Sequence, residues 1–273
     1  MTTGTVGVGL LSEAAANREL LRNLILRELK ASYRGSVLGA LWSLLNPLIN
    51  MAIFILVFGL VLRVPVPMTN RGTSSFAAFL LVGMLPWNFL SVSLSAGAIS
   101  LVANSSLIRK VFFFRPLLPV TAVLANGINF LVAMALLILW LGFSGFDLRV
   151  LWLLPVPALS LLLLSLGLAF VTATANVYFR DTQYLLSLLS TAWFYLTPII
   201  YPLELVRGLG ETWYTLFRLN PAAAIVSSFR AILYEGRVPS AFDLLWSLGS
   251  GMAFLLAGWK WFRYAEPHFA EEV

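Results

Sequence analysis

The sequence predicts an all-α polytopic membrane protein. Its expected parts are six transmembrane helices, an N-terminal amphipathic helix in the membrane interface, and re-entrant gate helices between spans five and six. Three observations predict this class. Of 273 residues, 60% are hydrophobic, only 11% are charged, and mean hydropathy is +0.89. Soluble domains carry roughly 25% charged residues, so this chain lacks the charge to coat a water-facing surface. Apolar runs recur at the length a helix rising 1.5 Å per residue needs, about 20 residues, to cross ~30 Å of hydrocarbon. The basic residues behind the net charge of +6 sit beside those runs, as an orientation signal and headgroup contact rather than a nucleic-acid footprint. Cysteine is absent, which excludes disulfides and thiolate metal sites.

The chain divides into a cytoplasmic N-terminus at 1–36, a six-span domain at 37–263 and a cytoplasmic tail at 264–273. The opening nineteen residues lack the positive stretch and short apolar core of a leader peptide, so none is expected. A helix over 12–34 places Leu21, Leu24, Ile25 and Leu29 on one face. Glu19, Asn23, Arg27, Lys30 and Arg34 fall on the other, the pattern of a helix lying in the interface. Glu28 lands inside the apolar arc, where an unpaired carboxylate is costly. It either meets an arginine or backbone amine at a partner interface or reaches water from a tilted helix. Gly35 permits the turn into the bilayer, and Trp42 anchors the first span at the interface.

Spans are expected at residues 39–62, 76–102, 117–143, 150–177, 184–201 and 242–261. Asn46-Pro47 sits in the first, and Pro198 near the end of the fifth. Between spans two and three, the loop at 104–116 carries Phe112, Phe113 and Phe114 flanked by Arg109, Lys110 and Arg115. An apolar patch ringed by charge suits docking of a soluble partner, or an interfacial helix with snorkelling basic side chains. The stretch at 202–240 is broken by prolines and charges, and its apolar piece at 220–229 is too short to span. Asn220 before Pro221 reads as a helix start, and the stretch is either a gate hairpin at membrane depth or a loop on the membrane surface. Trp193, Phe194, Tyr195 and Tyr201 surround Pro198. They can line a path for sugar rings or face lipid as belt anchors. Eleven Lys and Arg flank the spans on the side of the N-terminus, against Arg63, Arg71 and Arg149 opposite, which puts both termini in the cytoplasm.

Absences narrow the function classes. None of Lys30, Lys110 and Lys260 follows a glycine-rich phosphate loop, so an ATP-driven carrier must borrow its motor. His268 is the sole histidine, which excludes histidine-based catalysis and metal clusters. Acidic residues gather at span ends, unlike the mid-membrane relays of ion-coupled carriers.

Several ordered stretches resemble one family. They are LRELKASYRGSVLG at 26–39, LWSLLNP at 41–47, FFFRP at 112–116, NVYFRD at 176–181, LTPIIYP at 196–202 and LNP at 219–221. The chain resembles the ABC-2 type permeases that export polysaccharides and polyol phosphates: O-antigen, capsule, teichoic acid and galactan exporters. The resemblance implies a multi-pass protein of the bacterial inner membrane, working as a homodimer with two copies of a cytoplasmic ABC ATPase. ATP and Mg²⁺ would belong to that partner, with no cofactor in this chain. It implies cargo of a glycan on a polyprenyl-pyrophosphate lipid. Glu28, Arg109, Lys110, Phe112, Phe113, Phe114 and Arg115 would face the ATPase, while Arg27, Lys30 and Arg34 would meet pyrophosphate or lipid headgroups at the cytoplasmic entrance. Trp193, Phe194, Tyr195, Pro198, Tyr201, Asn220 and Pro221 would form pore and gate. The competing readings are an ABC-2 permease for a drug or lipid, a polyprenyl-dependent glycosyltransferase, and a secondary carrier; no nucleic acid is expected as partner.

Overall fold

A computed structural model describes residues 18–32, 41–57, 75–110 and 113–272. Among the described residues the chain is all-helical, with no strand. Among the described helices, four are long and apolar enough to cross a membrane: α3 (Phe76–Ser100), α5 (Leu117–Phe143), α6 (Pro155–Tyr178) preceded by a 3₁₀ turn, and α11 (Ala241–Ala265). Their bounds follow the predicted runs to within a few residues, because the apolar stretch itself sets where a lipid-compatible helix can lie. Before them come α1 (Arg18–Ser32) and α2 (Trp42–Phe54). Much of the turn toward the first span and the residues at 58–62 lie outside the described set.

α4 (Ser105–Lys110) caps one end of the bundle, between α3 and α5. α7 (Thr182–Tyr195) has 14 residues, about 21 Å by helical rise. It stops short of the predicted 201 because Pro198 pushes the residue before it out of helical backbone. Three helices fill the opposite end: α8 (Glu204–Arg207), α9 (Glu211–Arg218) and α10 (Pro221–Leu233). α9 and α10 meet at a bend of 85°. α10 starts as the Asn-Pro pair predicts: Asn220 caps it, accepting from the Ala222 N–H at 3.0 Å, with Pro221 in the first turn. After α11, a 3₁₀ turn leads into α12 (Phe269–Glu272).

Small residues govern how the long helices pair. α6 and α11 share the most extensive contact. A Cβ added at Gly167 would strike the Leu255 backbone, and one at Gly258 would strike the Gly167 carbonyl. Backbones this close are the usual solution in lipid, where burial of apolar surface drives no association. Buried Ser247 donates to Ser160 Oγ at 3.2 Å beside that contact. α3 and α6 are joined by hydrogen bonds from Thr172 Oγ1 to the Leu94 carbonyl at 3.1 Å and from Asn176 Nδ2 to the Ala98 carbonyl at 2.8 Å.

Two apolar cores result. The larger fills the middle and the α10 end, with Phe79, Leu90, Leu164, Phe229 and Ile232. The second lies at the α4 end and gathers Leu24 of α1, Ile108 of α4, Phe170 of α6, Phe262 of α11 and Phe269 of α12.

Candidate functional site

Two serines of α3, Ser91 and Ser95, stand four residues apart and so share one helix face with Trp87. On α7, Ser187, Ser190, Thr191, Phe194 and Tyr195 share a face in the same way. These two faces oppose each other across an open groove of about 350 Å³. Ser95 donates to the Ser91 carbonyl at 3.1 Å and Thr191 to the Ser187 carbonyl at 2.9 Å. Each hydroxyl thus satisfies its proton within its own helix and retains acceptor lone pairs. Aromatic rings close one end. Trp87 meets Trp193 edge-on at 5.7 Å between centroids, and Phe194 at 5.8 Å. Such a surface offers π-faces for C–H groups and acceptors for hydroxyls.

The end of α7 is tied to the start of α10. Asn220 Oδ1 accepts from Trp193 Nε1 at 2.9 Å. Its Nδ2 donates to the Leu196 carbonyl at 3.2 Å and to Thr197 Oγ1 at 3.0 Å. Tyr201 Oη donates to the Tyr195 carbonyl at 2.7 Å. The structure therefore brings together Trp193, Phe194, Tyr195, Pro198, Tyr201, Asn220 and Pro221. Sequence reasoning missed the hydroxyls of the groove, although serines at i, i+3 and i+4 on an apolar helix are a readable signal. It also missed Arg230 of α10, only 6% exposed, whose guanidinium donates to the carbonyls of Pro198, Ile199 and Tyr201.

The α4 end holds the remaining candidates. Arg27 donates to Asn104 Oδ1 at 2.6 Å, and Asn104 in turn donates to the Ser100 carbonyl at 2.8 Å. Arg27, Glu28, Asn104, Ser100 and Thr121 line a cavity of about 200 Å³ between α1, α3 and α5. Lys30 is exposed on α1, and Arg34 lies outside the described residues. Arg109 and Lys110 are exposed at the end of α4. Phe112 also lies outside the described residues. Phe113 and Phe114 are half-buried and pack on the second core, because Trp259 and its neighbours offer apolar surface there. Arg115 donates to the Glu266 carbonyl and so holds the loop to the end of α11. Among the described residues, no three His, Asp or Glu side chains gather as a metal site would require.

Comparison with known proteins agrees with this architecture. The O-antigen export system permease protein RfbA of Myxococcus xanthus is 36% identical over 267 residues, covering 97% of this chain and 100% of the relative. The O-antigen export system permease protein RfbA of Klebsiella pneumoniae is 29% identical, covering 93% of this chain and 94% of the relative. The polysialic acid transport protein KpsM of Escherichia coli is 26% identical, covering 89% and 92%. The family model described as ABC-2 type transporter matches residues 19–234. With four-fifths of its length under that match and its apolar helices in the expected order, this chain belongs to the ABC-2 type transporter family.

Proposed function

We infer that this chain is the membrane-spanning permease of an ATP-binding cassette exporter that moves a polyprenyl-pyrophosphate-linked polysaccharide across the bacterial inner membrane. The observation that carries the cargo assignment is the groove between α3 and α7, where aromatic rings and five serine and threonine hydroxyls face one space. Pyranose rings present C–H faces for aromatic stacking and hydroxyls that donate to the waiting oxygens. An apolar drug would gain nothing from the hydroxyls, and the relatives named for O-antigen and polysialic acid support the same choice.

The full assembly in this reading is a homodimer of six-span subunits. α2 with the residues after it forms the first span, and α7 with the turn at 196–201 forms the fifth. α7 buries none of its own residues, and Tyr184, Leu188 and Leu189 are more than 60% exposed. A second copy facing α7 would close the sideways-open groove into a conduit. α1 lies in the cytoplasmic interface, its Arg27 and Lys30, with Arg34 after it in sequence, meeting pyrophosphate or headgroups as charge-assisted contacts. α8 to α10 form a re-entrant gate hairpin on the extracytoplasmic side. Two separate ATPase chains bind ATP and Mg²⁺ and act on Arg109 and Lys110 at the tip of α4. Both termini lie in the cytoplasm.

The test is to fill the groove. Ser187→Trp and Thr191→Trp place an indole across it at positions already open to solvent or lipid, so folding is retained. Surface glycan should disappear from cells carrying either variant, while lipid-linked glycan accumulates inside. Undiminished surface glycan in both variants would exclude the groove as the glycan path.

A further inference from the structure

Arg230 is a buried cation whose hydrogen bonds all run to one turn. Its Nη1 donates to the Pro198 carbonyl and, at 3.5 Å, to that of Tyr201; its Nη2 donates to the Ile199 carbonyl. The guanidinium lies 3.6 Å above the ring of Phe79 in α3, a desolvated cation–π stack. Gly83, one turn further along α3, leaves room for it: a Cβ there would sit 2.9 Å from Nη2. Those acceptors lie beyond the last residue of α7, in a turn whose buried carbonyls have no helical partner and must find another donor. α7 ends at Tyr195, and its continuation through Thr197 to Tyr201 directs these carbonyls inward instead of toward water. A lysine would present a point charge, whereas the planar fork of arginine reaches several carbonyls at once.

We propose that Arg230 is the positioning residue of the extracytoplasmic gate, locking the turn at 197–201 to α10 so that the end of α7 and α10 move as one body. The proposal rests on the reading of α8 to α10 as that gate. It assigns the rigid joint to Arg230 and Asn220. Movement is then left to Gly210, whose φ of +115° is open to glycine and which no neighbouring atom crowds.

Amide hydrogen exchange of the full-length chain with its ATPase in lipid nanodiscs tests the joint, and reconstituted export tests its role. In Arg230→Met, amides at 196–205 should exchange about tenfold faster or more, the change expected from losing a charge-assisted hydrogen bond. α5 and α6 should keep their protection, and ATP hydrolysed per glycan exported should rise. Gly83→Ala should act in the same direction by displacing the guanidinium with its charge intact, and it decides the matter if Arg230→Met does not fold. Unchanged exchange at 196–205, or equal acceleration throughout α5 and α6, overturns the joint. Local acceleration with an unchanged ATP-to-glycan ratio overturns its role in the gate. If the wild-type complex exports no glycan, the cargo assignment fails, while the exchange arm still decides whether the joint exists.

Discussion

Asn220 uses all four of its side-chain hydrogen-bonding positions, two as acceptor and two as donor. One side chain therefore caps α10, satisfies a half-buried indole and holds the unwound end of α7. Asn220→Ala removes the cap and leaves the Trp193 N–H unmatched. The expected loss is roughly 2–3 kcal/mol, or about 5–10 °C in unfolding midpoint for a chain of this size. Asn220→Asp keeps both acceptor bonds but points carboxylate oxygen at the Leu196 carbonyl, and should fall between alanine and wild type. Thermal unfolding of the detergent-solubilised chain measures both, and an unshifted midpoint in Asn220→Ala refutes this account. The helix start at Asn220 was legible, because a cap followed by proline is a local signal. The partners of Arg230 were not. They are backbone carbonyls some thirty residues away, and a carbonyl has no letter in the sequence.

At the scale of elements, the pairing of α6 with α11 depends on contacts that tolerate no added atom. Gly258→Val would drive a side chain into the Gly167 carbonyl and separate the helices along their length. Overpacking of this kind costs about 1–3 kcal/mol in cores that can relax, and two opposed backbones have little room to do so. Size-exclusion chromatography should show aggregated or absent protein for Gly258→Val. Ser247→Ala, which removes the 3.2 Å bond to Ser160 and the hydroxyl's 3.1 Å bond to the Leu244 carbonyl but adds no atom, should elute as wild type does. Finding Gly258→Val monodisperse at normal yield would contradict the close approach. The long spans were legible because an apolar run of the right length has few other uses. Their pairing was less so: Ser247 and Gly251 stand four apart, a readable small-residue spacing, but the partner stripe on α6 is known only from the fold. The groove of α3 and α7 was hidden for the same reason, since neither row of hydroxyls means much until the other faces it.

For the whole molecule, the proposed orientation rests on the Lys and Arg imbalance, which would put α4 and α12 in the cytoplasm and α8 to α10 outside. The absence of cysteine makes this directly measurable. A membrane-impermeant maleimide should label Val238→Cys, at an exposed position beyond α10, in intact cells. It should label Lys260→Cys, near the end of α11, only after permeabilisation. The opposite pattern would invert the molecule and with it the assignment of gate and motor ends. The close approach of α6 and α11 also bears on how such a chain can change over generations. Where two backbones touch, Gly167 and Gly258 are not free to drift singly; a larger residue at either survives only if both helix axes shift together. Ser187 and Ser190 face open space, so substitutions there meet no such veto. A lineage can thus retune the wall of the proposed glycan path while the frame holding that wall stays nearly still.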